Sequence, residues 1–288
     1  MPRRCAVGEI YAKRGAAVRL VYLAGALAWW VLSGFGMLGR RTTIVLCYHA
    51  VRDGQHERFE RQMRSISDRC VARVGDETSG GLGLPRVALT SDDAFECLNR
   101  NARPLLESLG IEVGVYAVTG NPGDTPRWDI ASDHPEASER TMTEAELREA
   151  DASPAFRIGS HTVSHPRLAE LDESAIRAEL TESKRRLDEL LARGVDELAL
   201  PHGSVDERVL KIAGECGYRT VYLLGAAASA SSGAGAVPRC SMSPDVWPIE
   251  FFLTTRGAYG WLPAFRGLVR RVIGGGGAPA ARTQGATA

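Results

Sequence analysis

Two short polar segments that follow apolar runs carry residues able to bind a metal ion and move protons. The first contains Asp92 and Asp93, and the second contains His161 and His165. Two imidazoles and one carboxylate suit zinc and leave a position for water, although other divalent first-row metals, among them Co²⁺, Ni²⁺ and Fe²⁺, bind the same set. The remaining carboxylate can then take a proton from the activated water. This combination predicts a metal-dependent hydrolase.

Each pair also has a structural interpretation. One aspartate could cap a helix while the other lies on the surface, but burying both without a cation would cost several kcal/mol. A lone histidine usually makes ordinary hydrogen bonds. Pro166 disfavours helical dihedrals at His165, so the two imidazoles are expected to converge through a loop.

Short apolar runs alternate with longer helical patterns from residue 42 onward, which is typical of strands joined by crossover helices. Thr143 and Glu146 are spaced as a capping box that begins a helix, and Asp206 is expected to cap a helix that Gly217 ends. A longer helix is predicted over residues 172–193, followed by Gly194. The chain is therefore expected to have an α/β fold. The predicted strands are residues 43–48, 87–91, 113–119, 156–160, 197–200 and 220–224, and residues 225–236 are of low complexity.

The length and charge of the chain narrow the protein class. The 288 residues are enough for one catalytic domain with tails, and the 35 basic and 35 acidic residues leave no net charge. Binding to nucleic acid is therefore disfavoured. The 6 cysteines are scattered without a metal or redox spacing, so they are expected to be isolated reduced thiols.

The N-terminal region, residues 1–41, is basic and contains an uncharged stretch that begins at Leu20 and ends at Leu38. A helix of this length could anchor the protein in a membrane, or it could pack against the domain or lie in the interface. The expected location is membrane-associated, otherwise cytoplasmic. The pattern of residues 261–274 predicts an amphipathic helix that docks on the barrel or, alternatively, lies on a membrane surface. Residues 275–288 are expected to form a disordered tail.

Three motifs in a specific order resemble those of the polysaccharide deacetylases with a NodB homology domain (carbohydrate esterase family 4). They span residues 90–95, 160–165 and 200–206, within a domain expected over residues 42–260. The resemblance implies a distorted, TIM-like (β/α) barrel with an incomplete strand count. It also implies removal of N-acetyl groups from amino sugars of a glycan or a lipid-linked saccharide.

By position, the resemblance makes Asp92 the general base and Asp93, His161 and His165 the metal ligands. In the branch that includes poly-N-acetylglucosamine deacetylases, a Tyr-His pair ends the first strand, and residues 46–49 resemble it. This resemblance implies that His49 is the general acid. The segment Pro201-His202-Gly203 replaces the family's Pro-Tyr-Gly, whose backbone amide stabilises the oxyanion. His202 could also line the sugar site, and Trp128 could stack on a sugar or pack structurally.

The chain departs from the family pattern at several positions. Ser91 and Ala94 replace the usual Phe and Gly, and Ala199 and Leu200 stand where an arginine often orients the base. These differences keep open a catalytically silent glycan-binding or scaffold protein. Two further alternatives are removal of a formyl or O-acetyl group on the same scaffold, and tethering to a polymer-export assembly. The particular glycan and the oligomeric state stay open.

Overall fold

Seven parallel strands close into a barrel, with helices packed around it. The computed structural model describes residues 16–33, 43–73, 84–224 and 235–259. Each strand pairs with the next in chain order, and the seventh pairs with the first. The predicted barrel with an incomplete strand count is confirmed. The strands are β1 (Thr43–Tyr48), β2 (Arg86–Ser91), β3 (Val113–Ala117), β4 (Phe156–Ser160), β5 (Glu197–Ala199), β6 (Thr220–Leu224) and β7 (Gly235–Ser241).

The six predicted strands are present to within two residues at either end, because each is a nearly continuous apolar run buried on both sides. Strand β7 was not predicted. It contains Gly235 and Pro238, which are poor strand formers, so the local sequence does not predict a strand there. Its pairing with β6 and β1 is what closes the barrel.

The helices begin and end largely where capping residues predicted. Thr143 and Glu146 form the capping box, and Asp172 and Asp206 each cap a helix by accepting a backbone hydrogen bond. The long helix ends earlier than expected, because Ala192 and not Gly194 adopts the left-handed cap conformation, with φ 51°. The helices of the described residues are α1 (Ala16–Leu32), α2 (His56–Arg64), α3 (Glu96–Asn101), α4 (Arg103–Leu109), α5 (Glu144–Asp151), α6 (Glu173–Leu191), α7 (Glu207–Glu215) and α8 (Pro248–Thr254).

The barrel interior is filled by side chains, with Tyr116 at its centre. Its ring is fully buried, and its hydroxyl donates to Glu197 Oε2 at 2.9 Å. A Cβ on Gly159 would lie 2.6 Å from this ring, and one on Gly114 would lie 2.8 Å from its hydroxyl oxygen. The two glycines of β3 and β4 therefore make the space that this side chain occupies.

The apolar N-terminal stretch forms α1 and packs against α8. No helix among the described residues is both long and apolar enough to cross a membrane. The end of the stretch at residues 34–38, most of the low-complexity segment, the predicted helix at 261–274 and the tail at 275–288 lie outside the described residues. The five cysteines that the structure describes are not joined in disulfides.

Candidate active site and metal centre

The predicted site residues meet at the carboxyl ends of the barrel strands. Asp92 and Asp93 follow β2, His161 follows β4, and His49 follows β1. The short helical turn Pro201–Gly203 follows β5. Because the strands are parallel and close into a barrel, these loops share one rim, where barrel enzymes hold their active sites.

Three donor atoms form a compact set that fits a divalent metal. Asp93 Oδ1 lies 3.6 Å from His161 Nε2 and 3.5 Å from His165 Nε2. Ligands bound to tetrahedral zinc at ~2.1 Å are spaced by roughly 3.4 Å, so these distances match a shared ion. Asp93 Oδ1 is buried and has no hydrogen-bond partner in the described part of the chain. An ion held by Asp93, His161 and His165 would satisfy it.

The two imidazoles are neutral, as metal ligands must be. His161 Nδ1 donates to the carbonyl oxygen of Ala199 at 2.8 Å, which directs the lone pair of Nε2 towards Asp93. Burial lowers the pKa of His161 to about 4. Burial, with His161 and His202 nearby, also holds the pKa of His165 well below its ordinary value.

Burial disfavours the charged form of Asp93, which is the form that binds a metal ion. Burial raises its pKa to about 7, although the nearby His49 acts to lower it. A carboxylate in this position is therefore poorly stabilised by the protein alone. A cation between Asp93 and the two imidazoles would favour its ionised form.

The base candidate Asp92 is held by an arginine that the sequence interpretation missed. Arg239 of β7 donates from Nη1 to Asp92 Oδ1 at 2.6 Å and from Nη2 to Oδ2 at 2.7 Å. It also donates to Thr90 Oγ1, and its guanidinium lies 5.7 Å from the ring centres of Tyr116 and Tyr222. Burial would raise the pKa of Asp92, but Arg239 holds it well below its ordinary value. Asp92 is therefore ionised at neutral pH.

The Arg239–Asp92 pair revises the expectation that the base lacks an arginine to orient it. Ala199 and Leu200 do occupy the position of the expected arginine, but a guanidinium from a different strand contacts the base. The local sequence offered one indication of this role, a single arginine among apolar residues, but its segment was not recognised as a strand. Arg239 could not have been paired with Asp92 before the barrel closure was known.

Cys47 is a second residue that the sequence interpretation did not assign to the site. Its Sγ lies 3.4 Å from Asp92 Oδ2, and burial raises the pKa of the thiol well above its ordinary value. Donor atoms of Cys47, His49 and Asp92 lie within 4.8 Å of one another. Because Arg239 already binds both oxygens of Asp92, we interpret Cys47 as a hydrogen-bond donor to the base and not as a metal ligand.

The acid candidate His49 lies beside the base, at the half-buried edge of the site. Ser91, one of the departures from the family pattern, donates from Oγ to the His49 carbonyl oxygen at 2.8 Å and so ties β1 to β2 at this point. Burial would lower the pKa of His49, but the carboxylates of Glu136, Asp93 and Asp92 outweigh it and raise that pKa. The charge around His49 therefore favours the protonated form.

His202 and Trp128 contact the ligand set through His165. The centre of the His165 ring lies 4.5 Å from that of His202 and 4.9 Å from that of Trp128. Trp128 also packs against Ala50 and Phe95. The observed contacts of Trp128 are thus with protein groups, and His165 contacts both of the other rings.

Left-handed backbone is concentrated at this rim. Five of the six non-glycine residues with positive φ in the described chain are Asp93, Ala94, Thr162, His165 and His202. Such conformations cost of order 1–3 kcal/mol each and persist where the surrounding structure requires them. Ala94, with φ 49°, replaces the family's glycine in this strained conformation.

The ligand set is deeply buried and keeps only a small exposure to solvent. Asp92 and His161 are almost fully buried, whereas Asp93 and His165 retain 5% and 8% exposure. His49, Trp128 and His202 are half-buried around them. The exposure that the ligand set retains is thus at Asp93 and His165, and the acid candidate His49 is less buried than either.

Comparisons with known proteins agree with the barrel fold. Residues 80–221 match the family model described as polysaccharide deacetylase. A Streptococcus pyogenes deacetylase, PplD, in complex with acetate is 20% identical with a TM-score of 0.58, covering 74% of this chain and 97% of its own. IcaB from Ammonifex degensii is 20% identical with a TM-score of 0.57 and the same coverage.

A third solved structure, the BpsB deacetylase domain from Bordetella bronchiseptica, is 18% identical with a TM-score of 0.55. It covers 70% of this chain and 96% of its own. At these identities the solved structures establish a shared fold. No curated protein matches the chain.

Proposed function

Because residues 80–221 carry a polysaccharide deacetylase domain, we propose that this protein is a metal-dependent N-deacetylase acting on amino sugars of a glycan or a lipid-linked saccharide. One observation carries the proposal. The unpartnered Asp93 Oδ1 lies 3.5–3.6 Å from two imidazole nitrogens, immediately beside a base that an arginine holds ionised. Metal-assisted hydrolysis of an amide needs this combination.

Asp93, His161 and His165 would hold the ion. When bound, a divalent ion would polarise the acetyl carbonyl and lower the pKa of a water molecule. Zinc suits two nitrogen ligands and one oxygen ligand, and Co²⁺, Ni²⁺ or Fe²⁺ would fit the same donors. By holding the ion next to Asp92, the three side chains would bring this chemistry beside the general base.

Asp92 would accept the proton of the attacking water. Its Oδ2 lies 3.9 Å from His161 Nε2, so the base is next to the ligand set without belonging to it. The two hydrogen bonds from Arg239 fix the plane of the carboxylate. A base that does not rotate keeps one oxygen aimed at the water.

His49 would donate a proton to the nitrogen of the departing amine. Its ring nitrogen lies within 4.8 Å of an Asp92 oxygen, so proton acceptor and donor flank the same small space. Its raised pKa keeps a protonated fraction near neutral pH. The products would be acetate and a free amino sugar.

The turn at Pro201–Gly203 would supply the oxyanion donor. His202 has φ 57°, and its ring lies against that of His165, so this turn borders the ligand set. A backbone N–H from His202 would serve irrespective of its side chain. Trp128 would line the sugar site while supporting His165.

The Arg239–Asp92 pair weakens the alternative of a silent glycan-binding or scaffold protein, because that alternative relied partly on a missing arginine. Removal of a formyl or O-acetyl group would use the same residues. Substrate profiling across N-acetyl, N-formyl and O-acetyl sugars separates these activities.

The test is acetate release from chitooligosaccharides by the purified full-length chain, stripped of metal and reloaded with zinc or cobalt. We expect release only in the loaded protein, and we expect Asp92→Asn to abolish it. Asp68→Asn, at an exposed aspartate outside the site, is the matched control. Failure to release acetate from any N-acetylated glycan by a folded, metal-loaded protein would overturn the proposal.

A further inference from the structure

The exposed large apolar side chains of the described chain are confined to one region. All eight belong to α1 or to the start of α8, and none lies on the rest of the barrel surface that the structure describes. Large contiguous apolar patches on a folded surface mark interaction sites. The eight are Leu20, Val21, Leu27, Trp29, Val31, Leu32, Trp247 and Ile249.

One face of α1 is fixed to the domain. Tyr22, Leu23, Ala26 and Trp30 pack with residues of α8 and the turn after it, and Ala26 is fully buried. Arg19 makes a two-pronged ion pair with the buried Glu250, and its guanidinium lies 3.9 Å from the centre of the Trp247 ring. The helix is thus a docked element with a defined inner side.

The opposite face of α1 has no polar residue. Most exposed positions recur with the period of a helix, at Leu20, Val21, Ala24, Leu27, Ala28, Val31 and Leu32, and Trp29 is exposed beside them. A surface helix on a globular protein normally presents charged or polar groups outward. We call this face, together with Trp247 and Ile249, the outer apolar face.

The chain segments on both sides of α1 and after α8 carry charge of one sign in the sequence. The sequence contains no acidic residue from position 10 to 52 or from 251 to 288, and these two segments hold 11 of the 35 basic residues. The rest of the chain carries the other 24 basic residues against all 35 acidic ones. The segments before and after α1 and the segment after α8 are therefore cationic in sequence, while Glu250 of α8 is paired with Arg19 and the rest of the chain is acidic on balance.

We propose that the outer apolar face binds an anionic lipid surface, with α1 lying along the interface on the flank of the domain. Leu and Val side chains would enter the acyl boundary, flanked by Trp29 and Trp247, and the surrounding cations would meet the headgroups. A second copy of the chain is a poorer occupant, because a symmetric contact would oppose two basic regions. The C-terminal segment of the chain is also a poorer occupant, because it is basic and would bring more positive charge to a basic region.

The test is co-flotation of the full-length chain with vesicles of phosphatidylglycerol and phosphatidylcholine, compared with phosphatidylcholine alone. We expect binding to the anionic vesicles that weakens with added salt. Leu27→Glu should lower the partition coefficient by about tenfold or more, since it places a charge on the outer apolar face. Ala178→Glu, at an exposed position of α6, makes the same charge change elsewhere and should leave binding intact.

Val21→Glu, at a side chain 70% exposed, provides a second variant if Leu27→Glu folds poorly. Three results would each overturn the proposal: no binding to anionic vesicles, binding that neither outward variant reduces, or a dimer in solution that Leu27→Glu dissociates. The proposal does not depend on the deacetylase activity. Acetate release should be the same in Leu27→Glu and the unaltered protein when the substrate is soluble.

Discussion

The guanidinium of Arg239 and the carboxylate of Asp92 are joined by two hydrogen bonds of 2.6 and 2.7 Å, although 147 positions separate them in the chain. The arginine side chain is fully buried, and the neighbouring rings of Tyr116 and Tyr222 each lie 5.7 Å from its guanidinium. The last strand of the barrel thus reaches the base that follows the second strand. The electrostatics of the site depend on this closure.

Replacing Arg239 should affect both stability and catalysis. Arg239→Met leaves a buried carboxylate without its partner and should lower the free energy of unfolding by about 3–5 kcal/mol. Arg239→Lys keeps the charge but loses the paired geometry, so it should retain more stability and still lose acetate release by about tenfold or more. Urea unfolding and initial rates measure the two effects. Arg219→Met, at an exposed arginine, should change neither; equal losses at both positions would contradict the assigned role.

The alkaline limb of the activity profile should depend on Glu136. His49 must be protonated to act as an acid, so acetate release should fall as pH rises through its pKa. Burial lowers this pKa, and Glu136 is the strongest of the carboxylates that raise it. Glu136→Gln should therefore shift the falling limb of kcat/KM to lower pH. Asp133→Asn, at an exposed acid of the same loop, should leave it in place, and an unmoved limb in Glu136→Gln would exclude His49 as the titrating acid.

Asp93→Asn should have opposite effects on the metal-free and metal-loaded protein. Burial raises the pKa of Asp93 to about 7 from an ordinary 3.8, so the folded state holds its proton longer than the unfolded state. This carboxylate therefore reduces stability progressively as pH rises from about 4 to 7. At pH 8 the metal-free Asp93→Asn protein should be more stable by about 1–3 kcal/mol.

With metal bound, the unaltered protein should be more stable than Asp93→Asn. An ion at 100 times its dissociation constant stabilises a folded protein by about 2.7 kcal/mol, and Asp93→Asn should lose most of this gain. Thermal unfolding with and without zinc, together with metal content after dialysis, measures both effects. His56→Ala, at an exposed histidine, is the control. Retention of one tightly bound ion by Asp93→Asn would exclude this ligand set.

Gly159→Ala should destabilise the barrel although it adds a single methyl group. The new Cβ would lie 2.6 Å from the Tyr116 ring, and the strand cannot move without displacing His161 two residues later. We expect a loss of about 1–3 kcal/mol in urea unfolding, with weaker metal binding. Gly54→Ala meets no atom within 4 Å and should be close to neutral. A neutral Gly159→Ala would show that the interior accommodates the extra methyl group.

Several features of the site were accessible from the sequence because they are local. Asp92 and Asp93 end an apolar run, and Pro166 restricts the residue before it, which has φ 59° in the structure. These patterns, with the order of the three motifs, were enough to predict an α/β barrel and a three-residue metal set. Six strands were recognised for the same reason, since each is a buried apolar run.

The remaining features depend on contacts between distant segments. The sequence alone determined which residue types stand at the strand ends, because strand and cap preferences act over a few neighbouring positions. Only the tertiary structure decided that β7 closes the barrel, that Arg239 pairs with Asp92, that Cys47 donates to the same base, and that α1 packs on α8 with an apolar face outward. The physical reason is that a guanidinium or an apolar helix face is stabilised by whatever partner the fold brings to it, and local sequence does not encode that partner.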